Sequence, residues 1–171
     1  SKPETKTNTT SMDDIKAELA TTHAVGASLT PKDVINIRGK VYAVMPLMAG
    51  EVFDIVHQIA PKDKQCVGRS VLRQMAEDLG QCHRRGYVHR DVKLRNALWN
   101  PDGKVSVADF GLTVKAPGRK ERLLGLNGTS GYMGPEMYNN QGYDTKIDTW
   151  SLALSAADVH IPFWECPFSP H

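Results

Sequence analysis

The chain has 171 residues, which is enough for one domain with a sizeable core and short for two. Hydrophobic residues make up 40% and charged residues 23%, and the formal net charge of +2 is too small to indicate a nucleic-acid partner or an acidic membrane surface. No apolar run of about 18 residues occurs, so we predict no membrane-spanning segment.

The cysteines and histidines indicate neither disulfides nor a metal site. Cys66, Cys82 and Cys166 are odd in number and have no CxxC spacing, and the six histidines are scattered without metal-ligand spacing. A reducing compartment such as the cytoplasm is therefore the expected location.

The first third of the chain predicts a polar tail, a helix and a strand pair. Residues 1–11 are polar and predict a flexible segment. Ser11 is placed to cap a helix over residues 12–25, which Gly26 ends. Residues 34–39 and 40–48 then predict two strands joined across Gly39 and Lys40, with Pro46 stopping the second.

Two helices are predicted next. Residues 49–59, AGEVFDIVHQI, indicate a short one. From Cys66 onward an apolar stripe recurs every three or four residues and predicts a helix of about five turns that ends at Arg84, Arg85 and Gly86. The stripe consists of Val67, Val71, Met75, Leu79 and Cys82.

Polar side chains then crowd residues 87–96, YVHRDVKLRN, ahead of a predicted hairpin. Asp102 and Gly103 form a strong two-residue turn signal between alternating strands. With that turn, paired residue numbers sum to 205, and Asn96 lies opposite Asp109. An amide oxygen and a carboxylate converging in this way suit Mg²⁺, while Asp91 lies at the mouth of the same hairpin.

This arrangement matches the needs of phosphoryl transfer, which are charge neutralisation, in-line positioning and one acceptor for the attacking hydroxyl. Asp91 would be that acceptor, Lys93 would steady the phosphoryl group, and Asn96 with Asp109 would hold the metal. The alternative is that these residues fall together by chance in a polar loop and a strand end.

Three motifs carry a resemblance to a known family. HRDVKLRN resembles the catalytic loop H-R-D-x-K-x-x-N of eukaryotic-type protein kinases, Asp109-Phe110-Gly111 resembles their DFG motif, and Gly134-Pro135-Glu136 resembles their APE motif. The order of the motifs matches too, ending with DTW (148–150) at the start of an apolar helix. The resemblance covers about residues 12–168 and implies an α+β, two-lobed fold with a mostly helical C-lobe and an incomplete N-lobe.

The resemblance also implies roles for individual residues. Asp91 would be the catalytic base, Lys93 a phosphate contact, Asn96 and Asp109 the Mg²⁺ ligands, Thr129 a bridge between Asp91 and Lys93, and Asp148 a brace for the catalytic-loop backbone. Nucleotide-binding roles fall on four others: Glu18 would pair with the ATP-binding lysine, Met45 would gate the adenine pocket, Met48 would offer its backbone to adenine, and Glu51 would reach the ribose.

The implied organisation is a flexible segment (1–11), a partial N-lobe (12–45), a hinge (46–50) and a C-lobe (51–171) truncated after the DTW helix. Lys93 and the stretch GTSGYMGPE favour serine or threonine over tyrosine as acceptor. The implied function is Mg²⁺- and ATP-dependent phosphorylation of a protein substrate, with no nucleic-acid or membrane partner.

The sequence departs from the family pattern ahead of Glu18. No G-x-G-x-x-G loop or V-A-I-K strand precedes it, although Lys2 has a plausible spacing for the ATP-binding lysine. Three interpretations stay open: a fragment without its first strands, a pseudokinase scaffold that binds partners without turnover, or a compact kinase. The last resembles kinases that some bacteria inject into the host cytosol.

Overall fold

The structure, a computed structural model, describes residues 12–38, 40–118 and 120–160. The expectations for residues 1–11, including Lys2 and the Ser11 cap, and for the chain from residue 161, including Cys166, lie outside the described residues.

Helices and small antiparallel sheets alternate along the chain, which confirms the predicted α+β class. The helices are α1 (Met12–Ala24), α2 (Val52–Gln58), α3 (Pro61–Arg84), α4 (Pro135–Tyr138) and α5 (Lys146–His160), with a 3₁₀ turn at Leu94–Asn96. The strands are β1 (Asp33–Ile37), β2 (Lys40–Val44), β3 (Gly50–Glu51), β4 (Tyr87–Val88), β5 (Ala97–Trp99), β6 (Val105–Val107) and β7 (Val114–Lys115). None of the helices within the described ranges is long and apolar enough to cross a membrane.

The first predicted helix and strand pair are present as α1 and the β1–β2 hairpin. In the hairpin Ile37 pairs with Lys40, so β2 begins at Lys40 as predicted, whereas Arg38 lies in the turn and not in the first strand. The second strand ends at Val44, two residues before Pro46, which has no N–H to continue a ladder.

The segment before α2 is extended rather than helical, contrary to the prediction for residues 49–51. Gly50 pairs with Trp99 and Glu51 with Leu98, which adds β3 to the β5–β6 hairpin. Ala49 N–H also donates to Trp99 O at 2.7 Å. These strand contacts come from residues almost fifty positions away, and they override the local helical pattern.

Helix α3 is longer than predicted and carries the centre of the core. It begins at Pro61, five residues before Cys66, because proline at the first helical position loses no hydrogen bond. The polar residues from Lys62 to Gln65 hid this first turn from the periodicity. The predicted stripe is confirmed, with Val71, Met75, Leu79 and Cys82 buried and Val67 packed against them.

The β5–β6 hairpin has a different register from the predicted one. Ala97 pairs with Val107 and Trp99 with Val105, so paired numbers sum to 204. Asn100 N–H donates to Lys104 O at 3.0 Å, and Gly103 has a φ of +77°, as in a three-residue loop closed by a left-handed residue. The extra loop residue shifts the pairing by one position.

The register shift overturns one step of the metal-site prediction. Ala108 N–H donates to Asn96 O at 2.8 Å, so Asn96 lies opposite Ala108 and not opposite Asp109. The predicted cross-strand pairing of Asn96 with Asp109 is therefore wrong.

Candidate active site

A buried carboxylate on α5 holds the backbone of the loop that follows β4. Asp148 is fully buried and accepts hydrogen bonds from His89 N–H and Arg90 N–H, both at 2.8 Å. His83 Nε2, at the end of α3, lies 2.8 Å from the same carboxylate. The brace expected from Asp148 is thus present, and it joins α3, α5 and the loop at one point.

His89 links the loop to the end of β6. Its Nε2 lies 3.2 Å from Ala108 O, and its Nδ1 accepts the Asp91 N–H at 3.2 Å. Because a carbonyl oxygen only accepts, Nε2 carries the proton and Nδ1 is bare. Burial lowers the pKa of His89, against the opposing effect of the nearby Asp148 charge, so the ring is neutral at pH 7.

The Asp91 carboxylate is the centre of a cluster formed by the predicted catalytic residues. Its oxygens accept hydrogen bonds from Lys93 Nζ (2.8 Å), Asn96 Nδ2 (2.8 Å), Thr129 N (2.9 Å) and Thr129 Oγ1 (2.6 Å). Lys93 Nζ also donates to Thr129 Oγ1 at 2.6 Å, so Thr129 bridges Asp91 and Lys93 as expected.

Close backbone approach brings Thr129 to this cluster. Gly128 has a φ of +116°, and a Cβ placed on it would lie 2.3 Å from Arg90 O. A larger residue would therefore push the segment away from the loop.

The surroundings of Asp91 keep it ionised. Burial alone would raise its pKa, but the hydrogen bonds from Lys93, Thr129 and Asn96, with the Lys93 charge, lower it below its ordinary value. The carboxylate is thus a buried, fully hydrogen-bonded acceptor and a weak base at neutral pH.

Asn96 and Asp109 each carry a side-chain oxygen of the kind that hard cations bind. Asn96 Nδ2 donates to both the backbone and side-chain oxygens of Asp91, which leaves its Oδ1 for another partner. Asp109 is held at a φ of +61° and accepts only a long 3.4 Å bond from Gly111 N–H among the contacts of the described residues. An amide and a carboxylate oxygen suit Mg²⁺, which retains waters and substrate phosphates. Within the described ranges no three His, Cys, Asp or Glu side chains gather around a point.

A cavity of about 340 Å³ lies between α1, β2 and the end of β6. Its walls are mostly apolar, and they include three of the predicted residues, Glu18, Met45 and Asp109. Burial and then the negative charge of Asp109 raise the pKa of Glu18. No ion pair of Glu18 occurs among the described residues.

Met48 and Glu51 are not part of that cavity's wall. Glu51 Oε2 is instead 3.3 Å from Arg95 Nη1. The structure therefore brings the predicted residues together in two groups, one around Asp91 and one around the cavity, and leaves Met48 and Glu51 apart.

Comparison with known proteins identifies the family. A family described as the protein kinase domain matches residues 4–168. The chain belongs to the protein kinase family. The eukaryotic-type serine/threonine members are those it resembles, as the motifs predicted.

Two relatives illustrate the resemblance. The chain is 34% identical over 141 residues to CBL-interacting protein kinase 4 of Oryza sativa subsp. japonica, covering 77% of this chain and 31% of the relative. It is 37% identical over 118 residues to Aurora kinase A-B of Xenopus laevis, covering 67% of this chain and 28% of the relative. The chain thus spans less than a third of the length of these kinases.

Some contacts of this kinase chain escaped the sequence reasoning. The pairing of His83 with Asp148, the contact of His89 with Ala108 and the pairing of Arg95 with Glu51 all join residues distant in sequence. The catalytic-loop motif includes His89 but does not indicate its partner Ala108. The cationic residues at the end of α3 gave no indication that His83 contacts Asp148.

Proposed function

We propose that this chain transfers the γ-phosphoryl group of Mg-ATP to a serine or threonine hydroxyl of a protein. The observation that supports this most is the cluster in which Lys93, Asn96 and Thr129 all contact the Asp91 carboxylate at 2.6–2.9 Å.

Asp91 would orient the acceptor hydroxyl and receive its proton. Each carboxylate oxygen already accepts two hydrogen bonds, so the incoming hydroxyl replaces one of them, and the rotatable Thr129 hydroxyl is the simplest to replace. The lowered pKa makes Asp91 a weak base. That is sufficient because phosphoryl transfer depends mainly on positioning and electrostatics.

Lys93 would supply positive charge beside the reacting group. Its ammonium touches both Asp91 and Thr129 and is mostly buried, with 19% of its side chain exposed. A charge in such a site is stronger than in water, so it stabilises negative charge that develops during transfer.

Asn96 Oδ1 and Asp109 would hold Mg²⁺, which supplies charge neutralisation for the phosphates when bound. Glu18 would face an ATP-binding lysine across the cavity, because a cation there would offset the burial and the Asp109 charge that raise the pKa of Glu18. Met45 would gate the adenine pocket, Met48 would offer its backbone to adenine, and Glu51 would turn from Arg95 toward the ribose.

The proposed kinase function implies the same division of the chain into lobes that the motifs predicted. Residues 12–45 contribute the partial N-lobe, 46–50 the hinge and the residues from 51 onward the C-lobe. A reducing cytoplasmic setting suits the unpaired Cys66 and Cys82.

The test is transfer of ³²P from ATP to a protein substrate with Mg²⁺, for the wild type and Asp109→Asn. Asparagine tolerates the left-handed backbone at this position, so the variant removes charge with little strain. Asp102→Asn is the control, since Asp102 is exposed at the far end of the same hairpin. We expect loss of transfer only in Asp109→Asn, and equal transfer in all three proteins would refute the metal assignment.

Thermal melting separates a kinase from a scaffold that binds partners without turnover. A ligand that binds the folded state raises the melting temperature by mass action. We expect Mg-ATP to raise it for the wild type and less for Asp109→Asn. Absence of both the shift and transfer would favour the scaffold.

A further inference from the structure

Arg95 lies on the same 3₁₀ turn as Asn96, beside the Asp91 cluster, and has no part in the chemistry proposed above. Its guanidinium lies over the Phe53 ring of α2, with Cζ 3.9 Å from the ring centroid. The Phe53 ring in turn stacks with His57 at 4.2 Å. This stacking holds a cation in a defined orientation on the turn that also carries Asn96, a hydrogen-bond partner of Asp91.

The guanidinium keeps capacity for another anion. Its one ion pair among the described residues runs from Nη1 to Glu51 at 3.3 Å, longer than a strong charge-assisted bond, and 56% of the Arg95 side chain is exposed. Arginine presents five N–H donors in a planar fork that matches a carboxylate. An incoming carboxylate can therefore bind the remaining donors without first breaking a buried contact.

The stretches that border Asp91 are basic in sequence. Residues 89–96 and 110–127 together contain seven lysines or arginines and two acidic residues, whereas the formal net charge of the whole chain is only +2. The positive charge of the chain is thus concentrated in these two stretches of the sequence. Such a field attracts acidic partners and disfavours basic ones.

We propose that Arg95 selects acceptor segments that carry aspartate or glutamate close to the phosphorylated residue. The guanidinium binds the carboxylate, and the Phe53 ring keeps the guanidinium in place. This inference rests on the proposed kinase function and adds to it a class of protein substrate.

The test uses three peptides that share one serine and differ in its flanking residues, which are aspartates, alanines or lysines. For the wild-type chain with Mg-ATP we expect kcat/KM to fall in that order. The difference between peptides should lie in KM, and added salt should reduce that difference. In Arg95→Gln the preference for the aspartate peptide over the alanine peptide should fall roughly fivefold. Arg95→Lys keeps the charge but loses the fork, so it should retain only part of the preference.

Arg73→Gln is the matched control. Arg73 is also an exposed arginine paired with a glutamate, Glu77, at 3.2 Å, but it lies on α3. We expect its peptide preference to equal that of the wild type. A wild-type preference for the lysine peptide, or an unchanged preference in Arg95→Gln, would overturn the inference while leaving the kinase function intact.

A binding measurement distinguishes failure of the inference from failure of the kinase function. Fluorescence anisotropy of the labelled aspartate and alanine peptides is measured for the wild type and Arg95→Gln. Arg95-dependent binding of the aspartate peptide without any turnover would support the acidic site and contradict the kinase function. Equal binding of both peptides by both proteins would contradict the acidic site.

Discussion

The loop from His89 to Asn96 and the β1–β2 hairpin are both short, yet they are held in different ways. The loop is fixed by the buried Asp148 carboxylate and by the bonds that converge on Asp91. Every residue of β1 is exposed, and β1 and β2 pair only with each other among the described strands. The loop is thus held by buried polar contacts to distant parts of the chain, whereas the hairpin is held by its own ladder.

This difference separates the two halves of the proposed reaction. The residues for proton and phosphoryl handling are preassembled by side chains of the described chain. On the nucleotide side, Glu18 and Asp109 face a cavity bounded partly by the exposed hairpin. Substitutions in the loop should therefore have large effects, whereas similar substitutions in the hairpin should have small ones.

The largest effect is expected from Lys93→Met compared with Lys40→Met. Lys93 contacts Asp91 and Thr129, whereas Lys40 is exposed on the hairpin. Removing the Lys93 charge should slow transfer by about 10²- to 10³-fold, as for other preorganised groups that stabilise developing charge. Initial rates of ³²P transfer measure this, and equal rates in the two variants would remove the distinction between the regions.

The next largest effect is expected from loss of the Asp148 carboxylate, which holds the backbone of the catalytic loop. Asp148→Ala leaves the His89 and Arg90 amides without their acceptor, which should lower the free energy of unfolding by about 3 kcal/mol. Asp33→Ala in β1 removes an exposed carboxylate that accepts only the Val34 N–H among the described contacts, and should cost less than about 0.5 kcal/mol. Urea denaturation of both variants provides the comparison, and similar midpoints would show that the brace contributes little.

A pH dependence should follow from His89. Its pKa is lowered from 6.5 in the folded chain, so the unfolded chain binds more protons as pH falls below that value. Stability is then full above pH 6.5 and declines as pH falls toward the folded pKa, by at most about 1.4 kcal/mol per pH unit for this group. The slope of unfolding free energy against pH, measured from about pH 7 to about pH 5 so that it spans the ordinary histidine pKa of 6.5, should flatten in His89→Gln. An unchanged slope would assign the effect to other groups.

The smallest effect is expected in the hairpin itself. Ile35 is 39% exposed, and Ile35→Thr keeps the β-branched shape that favours a strand. We expect the unfolding free energy to change by no more than about 0.5 kcal/mol. A loss above about 1 kcal/mol would show that the hairpin is covered, and would weaken the contrast with the loop.

The repeated apolar spacing along a helix predicted more of the fold than the two-residue turn signals did. The stripe on α3 was predictable because burial of one helix face requires a regular spacing. The β5–β6 register was not, because Asp102 and Gly103 fit both a two-residue turn and the observed three-residue loop. The side chain of Asn100, which accepts the Lys104 N–H at 2.9 Å, favours the longer loop.

The candidate site was predictable only in part for a similar reason. Asp91, Lys93 and Asn96 are close in sequence, so their proximity follows from the chain itself. Thr129 and Asp148 were expected only through the family resemblance, since folding brings them from 38 and more residues away. The partners of Arg95 and His83 depend on how α2, α3 and α5 pack, which local patterns do not determine.

We propose that Asp91 directs phosphate to a serine or threonine hydroxyl, and the most direct test is phosphoamino-acid analysis of ³²P-labelled substrate. The wild type and Asp91→Asn are compared, after circular dichroism has shown that both are folded. We expect label on phosphoserine or phosphothreonine with the wild type, and a loss of about 10²- to 10⁴-fold with Asp91→Asn. Label on tyrosine, or undiminished transfer by Asp91→Asn, would contradict the claim.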